Sequence, residues 1–215
     1  MSRTAGSHGP ATLAAIRKSG LRLIYEHGYE ALTLRRLAAD VGILSGSLYN
    51  HIKTKQDLLF TLVRDHMTDL LANLDQALAG RDDPADALAA FVRLHVTYHM
   101  ERRYEVYIAN SELRSLEPDN RAAIVAMRQT YEARLIEILD RGVAANAFQV
   151  AETRVGAFAI IAMLTGICTW YRPDGPLGPE AIVRLHTDLV MQGLRDRASP
   201  KITLNLLPSE LSSLN

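Results

Sequence analysis

Only one cysteine, Cys168, occurs in the 215 residues. A lone thiol makes neither an internal disulfide nor a zinc-ligand set, so a reducing cytosol is the expected setting. The thiol itself reads as a small buried apolar group. Long apolar runs are missing too. The longest, from Gly156 to Cys168, spans 13 residues and includes Thr165. A membrane helix needs about 18 or more, so this stretch is expected to be a buried helix, and no membrane is expected as a partner. The opening MSRTAGSHGPAT lacks the apolar segment of a secretory leader. With 13 glycines and 8 prolines, a collagen-like or low-complexity chain is excluded. Zero net charge and 48% hydrophobic residues exclude a disordered one. There is no Gly-rich phosphate loop, no HExxH, no GxSxG and no nucleophile–base pair by spacing, so an enzyme is not expected.

The zero net charge hides an asymmetry. Residues 1–66 carry nine Lys/Arg against five acids, and the remainder carries 15 against 19. A basic segment joined to an acidic one suggests that the first faces a polyanion. Apolar residues recur at three and four along nearly the whole chain, and no strand pattern or internal repeat interrupts them. The spacing predicts about nine helices: residues 11–27, 33–42, 45–51, 54–79, 84–102, 104–116, 118–146, 152–171 and 179–195. Pro10 and Gly28 punctuate the first. Thr33 and Thr54 are placed to cap the second and fourth.

The second and third helices are short and joined by a turn at Val41-Gly42-Ile43. Leu37, Ala38, Val41 and Leu48 are spaced to pack them together. That pattern is a helix-turn-helix, whose second helix enters the DNA major groove; a plain helical hairpin in a bundle has the same pattern. The polar residues Ser45, Ser47, Tyr49, Asn50 and His51 would then face DNA. The helix starts at Thr33 and Thr54, with Lys53 and Lys55 beside the latter, suit phosphate.

The stretch IRKSGLRLIYEHGYEALTLRRLAADVGILSGSLYNHIKTKQDLL resembles the DNA-binding domain of the TetR family of bacterial transcriptional regulators. Its ordered elements are EHGYEALT, LAADVG and SLYNHIKTKQDLL. The length and nine-helix layout fit the family over nearly the whole chain. The resemblance implies that Thr33 and Arg36 touch the DNA backbone, and that Ser45, Gly46 and Ser47 enter the groove. Tyr49 and His51 would contact phosphate, Asn50 a base edge, and Thr54 and Lys55 the phosphate at the start of the fourth helix. Many members carry Ser where this chain has Leu44. Ser45 is therefore expected to cap the recognition helix instead, with more weight on shape and phosphate contacts than on base edges.

Helix-turn-helix proteins commonly bind palindromes as dimers, with half-sites about 34–36 Å apart or multiples of that. The last two helices are the expected dimer surface, through Gly156, Ala159, Ile160, Met163, Ile182, Leu185 and Leu189; a wholly internal core is the alternative. The middle helices interleave polar and aromatic groups with apolar ones, as a ligand cavity between helices does. The expected lining is His95, Tyr98, His99, Arg102, Arg103, Tyr107, Asn110, Ser111, Arg114, Met127, Tyr131 and Trp170. These residues also suit a satisfied core or a solvated face. His95 and His99 share a helix face, but no motif supplies a third metal ligand (Glu112 and Asp140 are the candidates), so no metal is expected.

NSELRSLEPDNRAAI and AIIAMLTGICTWYRPDGPLGPEAI are similar to the subgroup of the family that governs fatty-acid, aromatic-acid and steroid catabolism. That likeness implies an acyl-CoA effector, with Arg102, Arg103, Arg114, Arg121 and Arg128 as phosphate partners. The same arginines could equally form a solvated face with Glu101, Glu105, Glu112 and Glu117. The expected protein is all-α. Residues 1–57 form the DNA-binding domain, with 1–10 a disordered arm. Residues 58–197 bind ligand and dimerise, and 198–215 form a tail. It is expected to act in the bacterial cytoplasm as a homodimeric repressor, without a cofactor, released from double-stranded DNA by its effector. The alternative is a regulator of the same type with a different hydrophobic effector or none.

Overall fold

The computed structural model describes residues 9–195. The expected arm and tail lie outside the described residues, except Gly9 and Pro10, which open the first helix. The helices are α1 (Gly9–His27), α2 (Leu34–Val41), α3 (Ser45–Leu48), α4 (Lys55–Leu78) and α5 (Pro84–Glu101). There follow α6 (Arg103–Ser111), a single 3-10 turn (Leu113–Ser115), α7 (Pro118–Ala144), α8 (Thr153–Thr165), α9 (Ile167–Trp170) and α10 (Pro179–Gly193). Among the described residues there is no strand. The chain is all-α as expected, and the nine helical segments are those anticipated, with three internal differences. The segment 45–51 is helical only over Ser45–Leu48. The segment 152–171 is interrupted at Gly166, where Thr169 N–H donates to the Gly166 carbonyl, three residues back, at 3.1 Å. The segment 104–116 stops at Ser111 and finishes as the 3-10 turn.

Local chemistry explains the boundaries. The Thr54 hydroxyl accepts from Asp57 N–H while the Asp57 carboxylate accepts from Thr54 N–H, a complete capping box that starts α4. Asp83 caps α5, with Pro84 at its first position. Gly42 ends α2 at φ 76°, a left-handed conformation that turns the chain sharply into α3.

Two packing centres result. Around α1–α4, Ile16, Leu23, Ile24, Leu37, Leu48 and Leu58 are all but inaccessible to solvent. Gly20 lets α1 and α4 approach, since a Cβ there would lie 2.9 Å from Leu58 Cδ2. In the larger bundle α5 is central and packs on α4, α7, α8, α9 and α10. The units are bridged by α4, which contributes to both, and by α6, which lies against α1 and α4.

The expectation that Gly156–Cys168 is a buried helix is corrected. Thr153–Trp170 is long and apolar enough to cross a membrane, and only 22% of it is buried. Ala157, Ile160, Leu164 and Ile167 face the bundle, while Val155, Phe158 and Trp170 face outward.

After α7, Asn146 turns left-handed (φ 55°) and Phe148 folds back onto Gly142, where an added Cβ would sit 1.9 Å from the ring. Gly142→Ala should therefore cost about 1–3 kcal/mol of stability, read as a lower urea midpoint. An unchanged midpoint would mean that Phe148 does not depend on this contact.

Candidate DNA-binding surface and ligand cavity

Thr33, Arg36, Ser45, Gly46, Tyr49, Asn50 and Thr54 are exposed at the α2–α3 end, and Ser47, His51 and Lys55 are half-buried. The second helix of the motif is short: α3 covers four residues, and Tyr49–His51 continue as turns bonded to Ser47 and Leu48. Thr33 caps α2, its hydroxyl accepting from Arg36 N–H at 3.1 Å. The expectation for Ser45 is corrected, because the cap position is Leu44, with no side-chain hydrogen bond, and Ser45 is the first helical residue. Leu44 is 79% exposed. Sequence reasoning treated it only as a missing cap, yet it presents an apolar side chain to solvent at the start of α3. Lys55 is largely engaged within the protein. Its ammonium sits 4.1 Å from the Tyr29 ring centroid and donates to the carbonyls of Tyr29 and Glu30 at 3.2 and 3.4 Å. Lys53 is the exposed lysine of the pair.

Between α4, α5, α6, α7 and α8 lies a cavity of about 90 Å³. Of the twelve expected lining residues it gathers His95, His99, Asn110 and Tyr131. It adds His66, Met67, Leu70, Val106, Ala109, Arg128, Glu132, Ile161 and Thr165. Tyr98 is buried just outside, its hydroxyl donating to the His66 carbonyl at 3.2 Å. Met127 packs on the core, and the Ser111 hydroxyl is buried without a partner. Arg102 is exposed beside Glu105, Arg114 is exposed, and Arg103 lines a separate surface crevice with Tyr104 and Tyr171. Tyr107 packs edge-on against Tyr25 of α1. Trp170 stands on the outer face, stacked on His186 at 11°.

His95 is fully engaged: Nδ1 meets the Tyr131 hydroxyl at 2.9 Å and Nε2 meets Thr165 Oγ1 at 3.1 Å. His99 stacks on it, ring centroids 3.7 Å apart. Burial pushes His66 down to about 3 and His99 to about 4, and holds His95 well below 6.5; neighbouring histidines add to the fall for His66 and His95. The three imidazoles are neutral at pH 7. Burial also lowers Arg128, with Glu132 opposing it; its guanidinium donates to the Ala109 carbonyl at 2.6 Å and to Asn110 Oδ1 at 3.1 Å. Among the described residues no group of three His, Cys, Asp or Glu is placed to hold a metal.

On the outer face, Ala159, Leu185 and Leu189 of the expected dimer surface are exposed and Met163 is half-buried. Ile160 and Ile182 are buried in the protomer's own core, and Gly156 packs beneath Val150 and Leu139. Val155, Phe158, Ala162 and Trp170 complete the outward apolar face.

A helix-turn-helix carried on a helical bundle defines a DNA-binding regulator. Residues 16–62 match the bacterial regulatory proteins of the tetR family, and residues 81–194 match the tetracyclin repressor-like C-terminal domain. The chain belongs to the TetR family of transcriptional regulators. It is 27% identical over 178 residues to the HTH-type transcriptional repressor KstR2 of Mycolicibacterium smegmatis, covering 82% of this chain and 87% of that one. A tetR-family regulatory protein from Rhodococcus RHA1 superposes with a TM-score of 0.81 at 26% identity, covering 89% of this chain and 100% of that one. AibR, solved in complex with isovaleryl coenzyme A and operator DNA, superposes with a TM-score of 0.77 at 27% identity, covering 83% and 97%.

The neutral histidines make acid sensitivity a test of the cavity. Unfolded histidines titrate near 6.5, so as pH falls toward about 4 the unfolded chain takes up protons that the folded protein excludes, and stability drops. Each histidine contributes up to about 1.4 kcal/mol per pH unit. His99→Leu should flatten the fall in urea stability between pH 6.5 and 4.5 relative to the parent protein. An equal slope in both would place His99 in a polar setting.

Proposed function

We propose that this protein is a homodimeric repressor that binds a palindromic operator and is released by an acyl-CoA thioester. The observation that carries the effector reading is the cavity, apolar on Met67, Leu70, Val106 and Ile161 and bordered by half-buried Arg128. The likeness to AibR, whose solved complex holds isovaleryl coenzyme A and operator DNA, supports it. About 90 Å³ is well below the roughly 300–1,000 Å³ of common ligand pockets. The cavity therefore takes the acyl end, while the pantetheine arm and nucleotide lie outside it, within reach of arginines such as Arg128.

Tyr49 and Asn50 lead the DNA contacts, with Leu44, Ser45, Gly46 and Ser47 beside them. Tyr49, 56% exposed, reaches phosphate. The outward face of α8, α9 and α10 pairs with a second copy, which covers Phe158, Leu185 and Leu189. Contiguous apolar surface of this kind marks an interaction site. Release follows if the effector favours an arrangement of the two recognition helices that no longer fits the operator. A hundredfold loss of DNA affinity needs about 2.7 kcal/mol of coupling. The path runs through α4 and α6. The latter lines the cavity with Val106, Ala109 and Asn110, and presents Tyr104 and Tyr107 to Tyr25 at ring distances of 4.3 and 5.1 Å.

The test uses an operator selected from random duplex DNA by the protein itself. Isovaleryl-CoA, palmitoyl-CoA, free CoA and the free acids are added, and DNA release and thermal stability are followed. One acyl class should release the DNA and raise the melting temperature by several degrees; thioesters that change neither would overturn the effector assignment. Tyr49→Ala should weaken operator binding about tenfold or more without changing the melting temperature, a loss of ~1.4 kcal/mol. The double variant Leu185→Glu, Leu189→Glu should sediment as a monomer and lose the operator; a dimer that persists would move the interface elsewhere.

A further inference from the structure

Two lysines flank Thr54 at the start of α4, and their electrostatic settings are opposite. Lys55 is turned onto the connection between α1 and α2. Two of its three ammonium N–H groups donate to the carbonyls of Tyr29 and Glu30, at 3.2 and 3.4 Å. The ammonium also sits 4.1 Å from the centroid of the Tyr29 ring and 3.7 Å from the Glu30 carboxylate. The Lys55 side chain is 28% exposed and that of Glu30 is 87% exposed. A phosphate approaching from solvent therefore meets the acid before the base, and the pair offers it almost no net charge. The helix start adds little attraction. Thr54 N–H and Asp57 N–H are spent on the capping box, which also sets the Asp57 carboxylate in the first turn.

Lys53 is the reverse case. It is exposed on the turn between α3 and α4 and, with His51, borders a surface crevice between α1 and α4. The other cations of that crevice are committed, since Arg17 and Arg64 each pair with Asp65 at 2.7 Å. Its lining carboxylate, Asp57, accepts from Thr54 N–H at 3.0 Å. Among the described residues no carboxylate lies within 4.0 Å of the Lys53 ammonium. We infer that the phosphate contact at this end of the DNA-binding surface is made by Lys53, whereas Lys55, to which the family resemblance gives that role, is a positioning residue. Lys53 brings an uncompensated point charge on a flexible stem, which suits a phosphate oxygen. Lys55 ties the first turn of α4 to Tyr29 and Glu30, and that connection leads directly to Thr33, the cap of α2. It acts on the recognition surface through the backbone that it holds. The inference needs DNA binding alone and is independent of the effector.

The salt dependence of DNA binding separates the two roles, because each lysine–phosphate contact contributes about 0.9 to the slope of log K against log salt. Affinity of the full-length protein for an operator selected from random duplex DNA is measured over about 50–200 mM salt. Lys53→Gln should reduce the magnitude of the slope by about 0.9 for each protomer on the DNA and leave the melting temperature unchanged. Lys55→Gln should lower the melting temperature and weaken binding by a similar factor at every salt concentration, with the slope of the parent protein. An unchanged slope for Lys53→Gln would overturn the inference. So would a slope reduced by a whole contact for Lys55→Gln. If Lys55→Gln does not fold, Lys53→Gln decides by itself, since a phosphate contact carried by Lys55 would leave its slope at the parent value. Failure of the parent protein to bind any duplex would remove the inference together with the repressor reading, whereas failure of every thioester to act would leave it standing.

Discussion

The continuity of α4 is the constraint on which the rest of the structure depends. Its 24 residues run unbroken from the capping box at Thr54 to Leu78, about 36 Å at 1.5 Å per residue. The first turns supply Leu58 and Leu59 to the core of the DNA-binding unit, where Leu58 fills the space that Gly20 leaves open. Two turns later His66, Met67 and Leu70 line the cavity. Leu58 and His66 are about 12 Å apart along one rigid rod. A shift of α4 within the bundle is thereby a shift of the surface on which α1 rests.

The contacts beside this rod are of a different kind. Tyr29 N–H reaches Glu112 Oε1 at 3.4 Å. Gln56 donates to the Ser115 carbonyl at 2.6 Å and accepts from Glu117 N–H at 3.1 Å. These few hydrogen bonds clasp the DNA-binding unit to the connection between α6 and α7. Hydrogen bonds of this type contribute about 1 kcal/mol each in net terms. They fix an orientation without locking it, whereas the Leu58–Gly20 contact is part of a close-packed core and moves as a unit. A firm hinge beside an easily exchanged clasp is what a protein needs to hold two arrangements close in free energy.

The fold was largely legible because helical periodicity and capping residues are local signals. Thr33, Thr54 and Gly42 act on their own neighbours, and each behaves as the spacing implies. The cavity was legible only in part. His95, His99 and Tyr131 stood out as polar groups on apolar faces, but His66 falls within the leucine stripe of α4, where a histidine looks like one more core position. Arg102 and Trp170 were drawn toward the cavity by their chemistry, yet the turn at the α5–α6 junction and the break at Gly166 direct them outward. Ile160 and Ile182 illustrate the matching limit at the outer face. When a helix is apolar on every side, composition does not distinguish the residues that meet its own bundle from those that meet a partner.

Histidine is ordinarily the side chain through which proteins sense acidity near neutrality. Here three of them surround a cavity and none carries a proton at pH 7, because burial has moved each titration far to the acid side. The imidazoles act as fixed hydrogen-bonding shapes. Drifts of internal pH around neutrality leave their charge at zero and the geometry of the cavity unchanged. The lining that α4 and α5 supply is thus uncharged throughout the range near neutrality, and its chemistry there is that of apolar side chains and neutral rings.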